Sequence, residues 1–339
     1  MIAYIDGGTT YTRIYVLDKK ELIWETVKKI GARDTVIRGS NDILIETLKT
    51  AFSDLDLKNQ IKLSDIRCII MSGMLSSEIG LVELPHLEAP TSLDDLAENI
   101  YITDNLNIFG YKVPLIFIRG IKNKATKNIS SLKTHDFMRG EETQVIGLLS
   151  KLKLKGPLNV VVLSSHTKLI HINKNNCIEG GITTMSGQLY DAINKETLIS
   201  KSIKKGEFEE EDYFSEKIID LVESIVNEAG FLRAILMPRL MQVFIKTKSY
   251  ERRFFLEAIF AIEDMKTLDK ADKIMGFDLD TNFYILGQPG RCRLYKYLIE
   301  KRNTMKNRID IISDKNEIKI FSIEGALAIT DKIREKFGY

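Results

Sequence analysis

Apolar residues recur along this chain at two spacings, and each spacing predicts a different element. Ile2-Ala3-Tyr4-Ile5 and the alternating run Ile14 to Leu17 flank a tip, Asp6-Gly7-Gly8-Thr9-Thr10, that carries no apolar side chain. This pattern reads as strand, tight turn, strand. Glu21 to Lys29, with the only tryptophan, Trp24, reads as a third strand. Continuous apolar runs at Arg67–Met71, Pro114–Ile118, Asn159–Leu163 and Asn282–Leu286 predict short buried strands, and Ser76–Pro90 is irregular. A spacing near 3.6 predicts a helix over Asn41–Phe52, with Ile43, Leu44, Leu48 and Ala51 on one face and Ser40 or Asn41 as cap. Val145–Leu152 reads as a helix led by Glu141 and Glu142, whose charges suit a helix N-terminus. Further helices are expected over Phe214–Ala229, Phe231–Phe244, Arg252–Met265, Arg291–Lys301 and Glu324–Lys336. The acidic run Glu207–Asp212 reads as a solvated helix entry.

The opening pattern returns at mid-chain. Asn159–Leu163, the polar turn Ser164-Ser165-His166-Thr167-Lys168, the strand Leu169–Ile172 and a further strand from Cys177 repeat it in order and approximate spacing. Two copies of strand, polar turn, strand, turn, strand, each followed by helices, predict two similar α/β domains facing one another.

Composition narrows the class without changing that picture. In 339 residues, 44% hydrophobic and 28% charged, there is material for a full core, and a net charge of +2 gives no electrostatic case for nucleic acid or an acidic membrane. Cys68, Cys177 and Cys292 are scattered without a CxxC pair, which fits a reducing cytoplasm. The apolar runs are too short to span a bilayer, and a chain that opens on a strand is not expected to carry a cleaved leader.

Several chemistries are excluded by motif. There is no GxxxxGK[ST], no GxGxxG after a strand, no HExxH and no GxSxG, and the four histidines are dispersed. What remains is a polar turn in each repeat and a glycine-bearing strand-to-helix turn at Gly287-Gln288-Pro289. Gly7 and Gly8 would let a phosphate chain approach the backbone, Thr9 and Thr10 add hydroxyl donors, and Asp6 suits a metal ion held through water. The same glycines suit an ordinary hairpin, and these residues alone leave both readings open.

Longer segments carry a resemblance. Ile5-Asp6-Gly7-Gly8-Thr9-Thr10 resembles the first phosphate motif of the superfamily of sugar kinases, actin and heat-shock chaperones. Met138-Arg139-Gly140-Glu141-Glu142-Thr143-Gln144 resembles the MRGEETQ signature of the 2-dehydro-3-deoxygalactonokinase family. Ser72-Gly73-Met74, Ser165-His166-Thr167-Lys168, Thr183 to Leu189 and Leu286-Gly287-Gln288-Pro289 are similar to its other segments, in order. The resemblance implies two ribonuclease-H-like domains of the actin-like ATPase class with a nucleotide cleft between them. They are expected over 1–153 and 154–339, with the last helix able to pack back on the first. It implies ATP and Mg²⁺ as cofactors, a small-molecule sugar acid as substrate, and no nucleic-acid or membrane partner. A homodimer is left open.

By the same resemblance, Asp6, Gly7, Gly8, Thr9, Thr10 and Arg13 fall on the phosphate side of the first domain, with Asp6 holding the metal through water. Ser165, His166, Thr167, Lys168, Gly187, Gly287 and Pro289 fall on the nucleotide side. Gly73, Met74, Ser76 and Arg139 fall on the substrate side. Glu141 is the first candidate for the base and Glu142 the second; Arg139 paired with acidic neighbours is the alternative for that guanidinium. Two departures stand out. Glu78 occupies the place of an arginine suited to a sugar-acid carboxylate, and Leu163-Ser164 replaces Pro-Gly before the second turn. A kinase for another sugar and a non-catalytic nucleotide-binding regulator are therefore the competing expectations.

Overall fold

A computed structural model describes residues 1–337 except 60, 105–107, 109–111, 125, 127, 207–209, 211 and 303–306. Part of the acidic run Glu207–Asp212 thus lies outside the described residues. The strands, in chain order, are β1 (Ile2–Gly7), β2 (Thr12–Asp18), β3 (Glu21–Lys28), β4 (Ile69–Gly73), β5 (Leu87–Glu88), β6 (Tyr101–Thr103), β7 (Leu115–Phe117), β8 (Ile121–Lys122), β9 (Phe137–Met138), β10 (Leu158–Leu163), β11 (Thr167–Ile172), β12 (Ile178–Thr184), β13 (Asn282–Leu286) and β14 (Ile309–Ile312). The chain divides into two compact units, one of Met1–Gly156, Asn173–Gly180 and Lys319–Tyr339, the other of Pro157–Ile172 and Gly181–Ile318.

In the first unit a six-stranded sheet has the order β3-β2-β1-β4-β7-β6. β1 is antiparallel to β2 and parallel to β4, which is parallel to β7. Two helices follow β3, α1 (Ala32–Arg38) and α2 (Asp42–Asn59). The helix expected over Asn41–Phe52 runs further because Leu55 continues its buried stripe of Leu44, Leu48, Ala51 and Phe52. That stripe packs on Ala3, Ile5, Ile69, Met71, Leu115 and Phe117 of the sheet. A short α3 (Leu93–Glu98) is capped by Ser92, whose Oγ accepts from the Asp95 N–H at 3.1 Å. β5, β8 and β9 form a small separate sheet, and α4 (Glu141–Leu152) leaves it.

The second unit repeats the pattern with the order β12-β11-β10-β13-β14, in which β10 is antiparallel to β11 and parallel to β13. Its helices are α5 (Ser186–Glu196), α6 (Ser200–Ile203), α7 (Glu216–Ala229), α8 (Phe231–Leu240), α9 (Ser249–Leu268), α10 (Ala271–Met275) and α11 (Pro289–Arg302). Within the helix predicted over Phe231–Phe244, which contains Pro238, α8 ends at Leu240 and a π-turn covers Met241–Ile245. Pro289 opens α11, where a missing N–H costs nothing.

The last helix, α12 (Lys315–Phe337), begins nine residues before the expected Glu324 and belongs from Lys319 onward to the first unit. A Cβ on Gly147 of α4 would lie 1.8 Å from the Phe321 carbonyl oxygen, and one on Gly325 of α12 would lie 1.8 Å from that of Thr143. Two glycines therefore let the α4 and α12 backbones touch, which explains why the end of the chain falls with the first unit and not with Gly181–Ile318. No helix among the described residues is long and apolar enough to cross a membrane.

Candidate active site

In the first unit the glycine-rich tip is closed by a hydrogen bond from the Gly8 N–H to the Tyr11 carbonyl at 2.8 Å. The first turn of α1 then donates into it: Ala32 N–H to Gly8 O at 3.1 Å and Arg33 N–H to Thr9 O at 3.0 Å. The carbonyls of Gly8 and Thr9 thus satisfy donors that a helix N-terminus leaves open, and the tip is held in one shape. Thr35 of the same helix donates to Ile79 O at 2.8 Å, tying this tip to the segment that carries Glu78.

Parallel strands β1 and β4 end side by side at Gly7 and Gly73. Gly73 has φ +71°, and a Cβ there would sit 2.3 Å from Gly7 O and 3.5 Å from Asp6 Oδ1. Gly140 has φ +102°, and its Cβ would meet Gly73 Cα at 3.3 Å and Asp6 Oδ1 at 3.9 Å. Gly73 and Gly140 therefore let backbone pack closely beside the Asp6 carboxylate, while the Gly7 position faces the Leu75 side chain. Asp6 pairs with Arg13 directly across β2, Nη1 to Oδ2 at 3.2 Å. Burial pushes the Asp6 carboxyl up, Arg13 draws it down, and the charge of Glu141 pushes it up again.

The two glutamates that look equivalent in sequence have different surroundings. Glu142 is fully buried, and both its carboxylate oxygens accept from the Gly140 N–H at 2.9 and 2.7 Å. Thr143 Oγ1 adds a donor at 3.2 Å. Burial first, then the charge of Glu141, raises the Glu142 pKa to about 7. Glu141 is partly exposed, and its Oε2 accepts from the Arg139 N–H at 3.1 Å.

The folded chain holds the Glu142 proton more tightly than the unfolded chain, whose glutamate titrates near 4.5. Stability from this group is complete below about pH 4.5 and is lost as pH rises to about 7, a difference of about 3 kcal/mol. Glu142→Gln keeps an acceptor for the Gly140 N–H and removes the titration. Urea unfolding at pH 4.5, 6 and 8 is expected to give a flatter profile for this variant than for wild type, with the gain at pH 8. Parallel profiles would contradict the assignment.

Arg139 is committed differently from either reading of the sequence. Its Nη1 donates to Ser76 Oγ at 2.7 Å and its Nη2 to the Leu84 carbonyl. Ser76, expected on the substrate side, is fully buried and also donates to Gly73 O at 3.2 Å, so its hydroxyl braces the loop. Burial lowers the Arg139 pKa, while Glu142, Glu78 and Glu83 oppose that shift. The guanidinium keeps donors beyond the two used here. Met74 is partly buried in the turn that follows Gly73.

In the second unit, Ser164, Ser165 and His166 form the tip, with Ser164 N–H donating to His166 O at 3.0 Å and Ser165 Oγ lying 3.4 Å from His166 Nδ1. Thr167 and Lys168, expected at phosphate, are buried at the start of β11 behind that tip. The Thr167 hydroxyl instead joins a network: Ser186 Oγ at 2.8 Å, Tyr295 OH at 3.3 Å, and Asp264, which accepts from Tyr295 OH and from Thr184 Oγ1. Gly187 and Gly287 back the tip by close approach. A Cβ on Gly187 would be 2.3 Å from Ser164 O, and one on Gly287 2.8 Å from Leu163 Cβ. Sequence reasoning missed Arg291, whose Nη1 donates to Ser164 O at 3.1 Å and Nη2 to Thr167 Oγ1 at 3.3 Å. Its only signal was its place two residues after Pro289. Cys292 beside it is buried packing, its thiol pushed up to about 12 by that burial.

A family model described as 2-keto-3-deoxy-galactonokinase matches residues 6–316. The chain belongs to this family. It is 25% identical over 206 residues to a protein of Rhizobium meliloti (strain 1021) named as a probable 2-dehydro-3-deoxygalactonokinase. That match spans 60% of this chain and 60% of the relative. A crystal structure from Sinorhizobium meliloti described as that of a 2-dehydro-3-deoxygalactonokinase protein superposes with a TM-score of 0.69 at 20% identity, covering 100% of both chains. At that identity the likeness concerns the fold. The repeated sheet order of this kinase-family chain is the ribonuclease-H-like arrangement of the actin-like ATPase class.

Proposed function

We propose that the protein is an ATP-dependent kinase that phosphorylates a hydroxyl of a 2-keto-3-deoxy sugar acid in carbohydrate breakdown. The observation that carries this reading is the Asp6 carboxylate flanked by Gly73 and Gly140, with Glu141 within electrostatic reach, in a chain matched to the family from residue 6 to 316. Phosphoryl transfer needs alignment and charge stabilisation above all, and the close backbone packing at Gly73 and Gly140 holds this carboxylate in one place. In this reading the tip at Gly8, Thr9 and Thr10 takes the transferred phosphoryl group through N–H and hydroxyl donors, and Arg13 adds a positive charge. Ser165 and His166 contact the other phosphates, while Thr167, Lys168, Gly187, Gly287 and Pro289 shape the segment that presents them.

Mg²⁺ fits this set. It binds proteins through one or two carboxylates while keeping several waters, and Asp6, its carboxyl raised by burial and by Glu141, is an acid that a cation would relieve. Asp6 would hold it through water. When bound, the ion neutralises charge on the phosphate oxygens. Glu141 accepts the proton of the sugar hydroxyl, and Glu142 holds the Gly140 turn. Arg139 attracts the substrate carboxylate with its remaining donors. The cytoplasm is the proposed location.

A specific observation keeps a second substrate class in view: Glu78 and Glu83 lie within electrostatic reach of Arg139 and counter its charge. A kinase for an uncharged sugar would tolerate this better than one for a sugar acid. The deciding experiment follows ADP release from Mg-ATP with a panel of 2-keto-3-deoxy sugar acids and neutral sugars. Turnover confined to neutral sugars would overturn the sugar-acid reading. Glu78→Gln is expected to lower the KM for a sugar acid about threefold, the scale of one exposed charge, with the gain shrinking at high salt. An unchanged or higher KM would show that Glu78 does not face the substrate.

A further inference from the structure

The tip at Ser164–His166 is gripped on three sides, by Gly187, by Gly287 and by Arg291. The two glycines act through close backbone packing, which fixes position but supplies no charge. Arg291, in the first turn of α11, reaches both ends of the tip, binding the Ser164 carbonyl and the Thr167 hydroxyl with different nitrogens. Ser164 opens the tip and Thr167 begins β11 directly after it, so the two contacts bracket the tip. A guanidinium bridging these two residues holds the base of the tip in one shape.

The charges around Arg291 also have a direction. The Glu257 carboxyl is raised by burial, and Arg291 and Arg253 hold it back, so both cations act on this one acid. Tyr190 OH lies 3.5 Å from Glu257 Oε1. Of these groups it is Arg291 that reaches the tip. Five N–H donors in a planar fork match phosphate oxygens, and two hydrogen bonds to the protein leave donors over.

We propose that Arg291 is a nucleotide-positioning residue: anchored on the Ser164 carbonyl and the Thr167 hydroxyl, it clamps the second tip and turns a cationic edge toward the phosphates of a nucleoside di- or triphosphate. This rests on the kinase reading above. Replacing a charged donor that meets phosphate should act on nucleotide affinity and leave the sugar acid alone.

The test compares wild type, Arg291→Gln and Arg291→Lys by calorimetric titration with ADP, by thermal melting, and by steady-state kinetics in Mg-ATP and in sugar acid. For Arg291→Gln the expected result is an ADP Kd and an ATP KM raised about tenfold or more, the scale of lost charge-assisted hydrogen bonds, with the sugar-acid KM within about twofold. Arg291→Lys is expected to recover part of the ADP affinity, because it keeps the charge and one contact. If Arg291→Gln does not fold, Arg291→Lys carries the comparison, and an ADP affinity equal to wild type overturns the proposal. An Arg291→Gln variant with wild-type ADP affinity overturns it too, as does a fall in melting temperature with both KM values raised in parallel, the mark of a structural brace alone. Wild type that binds no ADP and turns over no sugar overturns the kinase reading itself, and the proposal with it.

Discussion

Glu141→Gln is expected to lower kcat about 10²–10⁴-fold, the usual contribution of a positioned base, while ADP affinity and unfolding stay near wild type. The two neighbouring acids make this a discriminating experiment. Glu142 has no exposure and spends both oxygens on the Gly140 N–H, so it cannot reach a substrate hydroxyl without breaking the turn that shapes the site. Glu141 is partly exposed, is held at its Oε2 by the Arg139 N–H, and is close enough to Asp6 to raise its pKa. Glutamine keeps the size and the acceptor for Arg139 but cannot take a proton. The matched control is Glu142→Gln, expected to hold kcat within a few-fold. If that variant loses activity and Glu141→Gln keeps it, the roles are reversed. If both keep it, alignment alone drives the transfer.

Strong periodicity made most of this architecture legible in the sequence. The strands β1, β2, β10, β11 and β13 stand close to where alternating or continuous apolar runs put them, and the repeat of the opening pattern implied two sheets of like order. What was missed had no such signal. α1 exposes Val36 and Ile37, at 58% and 72%, so it carries no apolar stripe; it forms because its first N–H groups find the carbonyls of Gly8 and Thr9. β5, β8 and β9 span two residues each, too short for any period to show. The site divides in the same way. Asp6, its glycines and the pair of acids were visible as residue types, but which acid is buried depends on the φ of +102° at Gly140, a tertiary fact. Thr167 and Lys168 were assigned by their place in a turn that proves shorter than expected, because β11 begins at Thr167. Arg291 lies more than 120 residues from the tip it binds, and only the pairing of β10 with β13 brings them together.

Gly325→Ala sets two effects of opposite sign against each other. In a helix interior, alanine is favoured over glycine by about 1 kcal/mol, so propensity alone predicts a more stable chain. The contact predicts the reverse: the added Cβ would stand 1.8 Å from the Thr143 carbonyl oxygen, against the 3.4 Å or more of an ordinary contact. That neighbour is helix backbone and cannot rotate away, so α4 and α12 must separate, and overpacking of this kind costs about 3 kcal/mol or more. The net expectation is a loss of about 2 kcal/mol or more, read in the unfolding transition of the first unit, since a chain with two compact units need not unfold in one step. The reciprocal variant, Gly147→Ala, meets the Phe321 carbonyl at the same 1.8 Å and is expected to behave alike. Gly290→Ala, in the first turn of α11 with no atom within 4 Å of the new Cβ, is the control in which propensity acts unopposed and stability should not fall. Thr143 follows Glu142 directly, so displacing α4 also displaces the Gly140 turn, and kcat should fall with stability in Gly325→Ala but not in Gly290→Ala. A Gly325→Ala chain as stable as wild type would mean that the two helices do not cross at these glycines.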